Sequence, residues 1–272
     1  MGSEMCIRDR SLIVNDPQEF EKSLLDSLGL EASEVSTQIV QPEPMTDLFH
    51  YIISTLGVIA NFSRDMRNLQ RSEIAEVSEQ FSSKQVGSST MPQKRNPISF
   101  ENIESIWKKF MPQMTTIYLD QISEHQRDLT NSSSQRYLPE LIVMFDYAVR
   151  RLTRTIWNSD ENRPRLGVDL KNIKRNLEES EDSMAAEPLY ILLAVSGQTN
   201  AHEKVREAVQ RSIGEGTSFR ESLKKDPILR GLFDKIPEDK RKYIMDPTLY
   251  TGIAAKKART VADRWEKKLA SK

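Results

Sequence analysis

From position 45 to position 81 apolar residues recur mostly in steps of three to five: Leu48, Phe49, Ile52, Leu56, Ile59, Phe62, Met66, Leu69, Ile74, Val77 and Phe81, with only Gly57 interrupting. That is the spacing of one face of an α-helix. At 1.5 Å of rise per residue, the segment predicts a helix roughly 55 Å long. A helix of that length with a single apolar face needs partner helices along its whole run, and a long helical bundle supplies them.

The rest of the chain supports an all-α fold. There are only 10 glycines, and Val and Ile do not cluster in alternating runs. Helical spacing recurs over 100–122 and 139–157, and in a broken form over 168–195, with Pro112 and Pro188 expected to kink or split their helices. After Ser196 and Gly197 the pattern changes to shorter helices between loops such as GEGTS, KKDP and KIPED, which predicts a domain boundary. The expected organisation is a partial central helical-bundle domain over 11–195 and a smaller C-terminal helical domain over 196–272. The opening MGSEMCIRDR has no periodicity and joins abruptly to SLIVNDPQEF, so residues 1–10 read as a non-native leader.

Charge and cysteine usage exclude several function classes. Lys plus Arg (39) nearly balances Asp plus Glu (40), which gives no pull toward nucleic acid or an anionic membrane. No apolar run is long enough to span a bilayer, and the start lacks the apolar core of a secretory signal. The single Cys6 allows neither an internal disulfide nor a cysteine-based zinc site, as befits a reducing, cytoplasmic setting. His50, His125 and His202 are too scattered for a metal site, so the expected chemistry uses no metal and no cofactor.

One segment breaks the helical pattern. Residues 82–97, about 16 without hydrophobic periodicity, lie between two long helices, and such a segment in a compact domain tends to be either functional or disordered. It ends in GSSTMPQKRNP, residues 87–97. Gly87 permits unusual backbone angles, and Pro92 and Pro97 restrict the chain. Lys94, Arg95 and Asn96 precede the next helix, where free N–H groups and the helix dipole favour an anion such as a serine alkoxide. On residue types alone, both a solvated connector and a catalytic loop remain open.

GSSTMPQKRNP resembles the signature loop of the fumarase/aspartase superfamily, G-S-S-x-M-P-x-K-x-N-P. These are metal-free lyases that release fumarate by β-elimination. The KRNP followed by ISFEN looks like the adenylosuccinate lyase branch. NLQRSEIAEVSEQFSSKQVGSS is similar to that branch's helix leading into the loop. EHQRDLTNSSSQRYLPE is similar to its W-x-E-R-D-x-x-x-S-S-x-x-R-x-x-L-P, and DPTLYTGIAAK resembles its closing P-x-x-Y-x-G-x-A. The resemblance runs over 11–272. It implies an all-helical subunit, a homotetramer in which three subunits build each site, and a succinylated purine nucleotide as the small-molecule substrate.

By position in these motifs, the resemblance implies that Ser88 is the general base that removes the proton beside a succinyl carboxylate. Lys94 and Asn96 hold that carboxylate, with Ser89 and Arg95 beside them, and an ammonium and an amide are suitable donors to a planar dianion. Glu101 supports the site and Asn102 contacts substrate. Arg127, Ser132, Ser133 and Arg136 hold the nucleotide phosphate and ribose, for which forked guanidinium groups are well shaped. Gln38 falls at a substrate-contacting glutamine, although the QPEP after it departs from the family's more basic stretch.

None of the three histidines matches the family's general acid, which sits in an upstream G-x-T-H-x-Q motif. Nor is the earlier T-S-x-D region found here. The chain is therefore expected to be roughly the C-terminal 60% of a lyase subunit, holding the base without the acid and inactive alone. Two alternatives stand beside this reading. One is another superfamily member, such as argininosuccinate lyase or a carboxymuconate cycloisomerase. The other is a non-catalytic helical scaffold.

Overall fold

The computed structural model describes residue 12 and residues 14–32, 40–80, 95–124 and 129–271, with backbone only for 181–183 and 228. Helices α1 (Pro17–Ser27), α2 (Glu43–Leu69), α3 (Ile98–Phe110), α4 (Gln113–Leu119) and α5 (Ser134–Ile156) precede α6 (Leu170–Val195). They are followed by α7 (Ala201–Glu215), α8 (Phe219–Lys225), α9 (Pro227–Phe233), α10 (Glu238–Met245) and α11 (Ala254–Ala270). Among the described residues the chain is all-α apart from four two-residue strands. β1 (Val77–Ser78) pairs antiparallel with β4 (Gly167–Val168), in the register Val77 to Val168 and Ser78 to Gly167. β2 (Trp157–Asn158) pairs with β3 (Arg163–Pro164).

Two compact units divide at Asp169 and Leu170. The composition change at 196 falls inside the second, between α6 and α7. In the first unit, α2 places Phe49, Ile53 and Leu56 against Ile106 and Phe110 of α3, Met114 and Ile117 of α4, and Leu141 and Ala148 of α5. Gly57 lies where α2 passes close to α3: a Cβ there would stand 3.2 Å from Trp107 Nε1. In the second unit, Leu189 and Leu193 of α6 bury against Val205 of α7, Phe219 and Leu223 of α8, and Ile244 of α10. Helix α11 buries none of its residues.

Several boundaries differ from expectation for local reasons. Helix α2 stops at Leu69 instead of continuing to 81, so its 27 residues span about 40 Å. Past it, Glu76 N donates to Leu69 O (2.9 Å), Ala75 turns through a left-handed φ of 53°, and Val77 enters β1. Ile74 and Val77 keep helical spacing in the sequence but are half-buried in a turn and a strand. The stretch NLQRSEIAEVSEQ is accordingly a helix end, a turn and a strand, not a helix leading into the loop. Pro112 does split its segment, into α3 and α4. Pro188 does not split α6, and Pro139 lies inside α5, which starts at Ser134.

Candidate functional site

The described part of the site begins at the two stems of segment 81–94. The Gln70 side chain, directly after α2, spans them: its Oε1 accepts from Glu79 N (2.9 Å), and its Nε2 donates to Arg95 O (3.3 Å). The Glu79 carboxylate is buried and accepts from Ser99 N (3.1 Å) and Phe100 N (2.9 Å). The sequence predicts that free N–H groups at the head of α3 serve an incoming anion. Glu79 already uses two of them, and Glu101 N donates to Pro97 O (2.9 Å), so that expectation is corrected. Sequence reasoning misses both Glu79 and Gln70. Their signal is faint, because a cap normally sits beside its helix whereas this one is 21 residues before Phe100.

At the head of α3, Asn96 is half-buried and its carbonyl accepts from Ile98 N (2.9 Å). Arg95 and Glu101 are exposed. Asn102 is half-buried, and its Oδ1 has no hydrogen-bond partner among the described residues. Ser132, Ser133 and Arg136 come together at the start of α5, where Arg136 Nη1 donates to Ser132 O (2.6 Å) and Ser133 precedes the first helical turn. Asp120 steadies that turn by accepting from Asn131 Nδ2 at its carbonyl (2.7 Å) and from Ser134 Oγ at its carboxylate (3.0 Å). Gln38, Ser88, Ser89, Lys94, His125 and Arg127 lie outside the described residues.

Behind Asn102, Glu104 is sealed between α2 and α3, with its side chain 4% exposed. It accepts from Arg64 (2.7 Å), Lys108 (2.9 Å) and Arg67. Hydrogen bonds from Arg64 and then Lys108, joined by the Arg67 contact and outweighing the cost of burial, hold its pKa down at about 2. The described histidines pack against aromatic rings. His50 Nδ1 lies 2.9 Å from the Tyr118 hydroxyl, and His202 meets Tyr190 edge-on at 5.3 Å between centroids.

Residues 13–111 match a family model described as Lyase. The chain is 35% identical to an adenylosuccinate lyase of Pyrococcus abyssi over 213 residues, which cover 76% of this chain and 45% of the relative. It is 30% identical to another from Archaeoglobus fulgidus over 253 residues, covering 92% of this chain and 54% of the relative. Among solved structures, a 3-carboxy-cis,cis-muconate lactonizing enzyme from Pseudomonas putida aligns over 90% of this chain and 53% of its own, with a TM-score of 0.70 and 25% identity. The chain is similar in sequence and in fold to lyases of the fumarase/aspartase superfamily. A second superfamily structure, the β-carboxy-cis,cis-muconate cycloisomerase of Acinetobacter calcoaceticus, shares the fold at a TM-score of 0.71 and 18% identity, over 95% of this chain and 55% of its own. The chain spans about half the length of the lyases it matches.

Proposed function

We propose that this chain carries the base-bearing, carboxylate-holding part of a carbon–nitrogen lyase. The lyase splits adenylosuccinate into AMP and fumarate, and in the same way releases fumarate from the succinyl-carboxamide imidazole ribotide. Ser88 takes the proton from the carbon beside a succinyl carboxylate. Lys94 and Asn96, with Ser89, donate to the carboxylate as it takes up the negative charge. The C–N bond then breaks, the electron pair passes to nitrogen, and an acid outside the 272 residues protonates it. Arg127, Ser132, Ser133 and Arg136 hold phosphate and ribose, Gln38, Arg95 and Asn102 contact the substrate, and Glu101 supports the loop. The reaction needs no cofactor, and the enzyme works in the cytoplasm.

The observation that carries this reading is that GSSTMPQKRNP and RDLTNSSSQR stand in one chain 35% identical to an adenylosuccinate lyase. Asn96 and Asn102 at the head of α3 suit it, and so does the Arg136 guanidinium, which donates to the carbonyl of Ser132 beside the proposed phosphate position. A homotetramer is supported by the apolar residues Leu48, Tyr51, Val58 and Phe62, which stay exposed along α2. No helix among the described residues is long and apolar enough to cross a membrane.

The test is fumarate release from adenylosuccinate by the chain joined to an upstream segment bearing G-x-T-H-x-Q, and by the 272-residue chain alone. The extended enzyme is expected to turn over and the shorter chain not to. A normal rate from the shorter chain would overturn the assignment of the acid. A muconate cycloisomerase is the second reading, favoured by the solved structures. Carboxymuconate turnover without adenylosuccinate turnover would select it, and a preference for argininosuccinate would sink both.

A further inference from the structure

A pocket of about 300 Å³ opens in the first unit, where the C-terminal half of α5 passes the stems of segment 81–94. Arg150, Arg151 and Arg154 of α5 line it, together with Arg165 just before β4, Tyr147 and Gln80. Positions 147, 151 and 154 recur at three- and four-residue spacing, so one face of the helix delivers them together.

Little in the surrounding structure neutralises these four cations. Arg150 Nε pairs with Asp146 (2.7 Å). The Glu79 carboxylate, also in the wall, is engaged by the two N–H groups at the head of α3. Arg151 donates to the Tyr147 hydroxyl and lies 5.7 Å from that ring's centre, yet its Nε is buried with no hydrogen-bond partner among the described residues. Arg165 Nη1 donates to the Arg154 carbonyl (3.3 Å), and the Arg154 guanidinium has no partner among the described residues. Converging guanidinium groups repel one another unless an anion lies between them, and their forked donors match phosphate oxygens.

We propose that this pocket binds a small, multiply charged oxyanion of the phosphate class. It is separate from the phosphate position expected at Arg127 and Arg136, because the helix rises about 21 Å between residues 136 and 150. It also stands independently of the lyase reading, since none of the pocket's four arginines is assigned to the reaction.

Calorimetric titration at fixed ionic strength, using inorganic phosphate, pyrophosphate and AMP as probes, tests the proposal on the 272-residue chain. One saturable site per chain is expected, weakened about tenfold or more in R154A/R165A by loss of two forked donors. Both side chains lack other side-chain partners among the described residues, so helical circular dichroism should be unchanged. The R154K/R165K variant keeps charge without the fork and should bind at an intermediate level. AMP binding with the same dependence identifies a phosphorylated small molecule as the ligand, and binding confined to pyrophosphate and phosphate identifies a free anion. The proposal is overturned by no saturable binding of any probe, by binding unaffected in R154A/R165A, or by binding lost instead in R136A.

Discussion

Glu104 concentrates more charge than any other buried side chain described, with three cations on two oxygens. Its carboxyl titrates at about 2 in the folded chain against an ordinary 4.5, so its contribution to stability is complete above pH 4.5. That contribution is lost as pH falls from 4.5 toward 2. Glu104→Gln should destabilise the first unit by roughly 1–3 kcal/mol at neutral pH, moderated because the cations keep part of their hydration. In thermal melts followed against pH, the gap between the two proteins should close below pH 4.5; a constant gap would refute the charge argument. Glu79 makes a second prediction. Removing its carboxylate by Glu79→Ala should cost about 1–2 kcal/mol, the range of a lost helix cap. In the extended enzyme it should also lower kcat more than KM, because the cap anchors the stem that leads to Asn96. Neither glutamate is legible from sequence, since Glu104 meets Arg64 across 40 positions and Glu79 meets Phe100 across 21.

Elements follow the sequence where periodicity and packing agree, and depart from it where a turn intervenes. The apolar stripe through Phe49, Ile52 and Leu56 predicts α2, which is found, but its buried face only in part: Phe49 and Leu56 are buried, Leu48 and Phe62 of the same stripe stay exposed, and Ile53, outside it, is buried. The same stripe overruns the end of α2, because Ile74 and Val77 satisfy helical spacing while serving a turn and a strand. Apolar spacing places a helix start at Pro139, but at the sixth position of α5 this proline removes only the bond its nitrogen would give to the Gln135 carbonyl. Gly57 is the element-scale test. Ala there gains helix propensity of up to about 1 kcal/mol, but its Cβ crowds the Trp107 indole, so the two effects should nearly cancel. A bulkier Gly57→Val should lose roughly 1–3 kcal/mol by overpacking and should shift the Trp107 fluorescence. Equal stability of all three proteins would show that α2 and α3 are not held at this spacing.

At the scale of the whole molecule, the sequence announces its class because length and spacing demand a bundle. It cannot show which faces lie uncovered. Leu48, Tyr51, Val58 and Phe62 are 46%, 70%, 69% and 37% exposed on one helix, and such a stripe suits further copies of the same chain. Replacing Leu48 and Val58 by lysine should shift the particle to a smaller species in sedimentation while leaving helical content unchanged. An unchanged particle size would refute a role for this stripe in the proposed oligomer. The proposed lyase site is legible only in part for a related reason. Its motifs can be read along the chain, whereas the Gln70 and Glu79 clip and the arginine pocket arise only when distant segments meet.

The pairing of β1 with β4 sets an order of events during synthesis. A Cβ at position 167 would stand 2.7 Å from Ser78 Oγ and 3.3 Å from Ser78 O, so Gly167 lets the two strands close without displacing the Ser78 side chain. Helices α2 and α3 can dock as soon as both have left the ribosome, but Val77 must wait for Val168. At ~5–20 residues per second that delay is roughly 5–18 s, during which the strand edge stays open to other chains. The latch is therefore a late one, and a growing chain is most exposed to wrong partners just before residue 167 emerges.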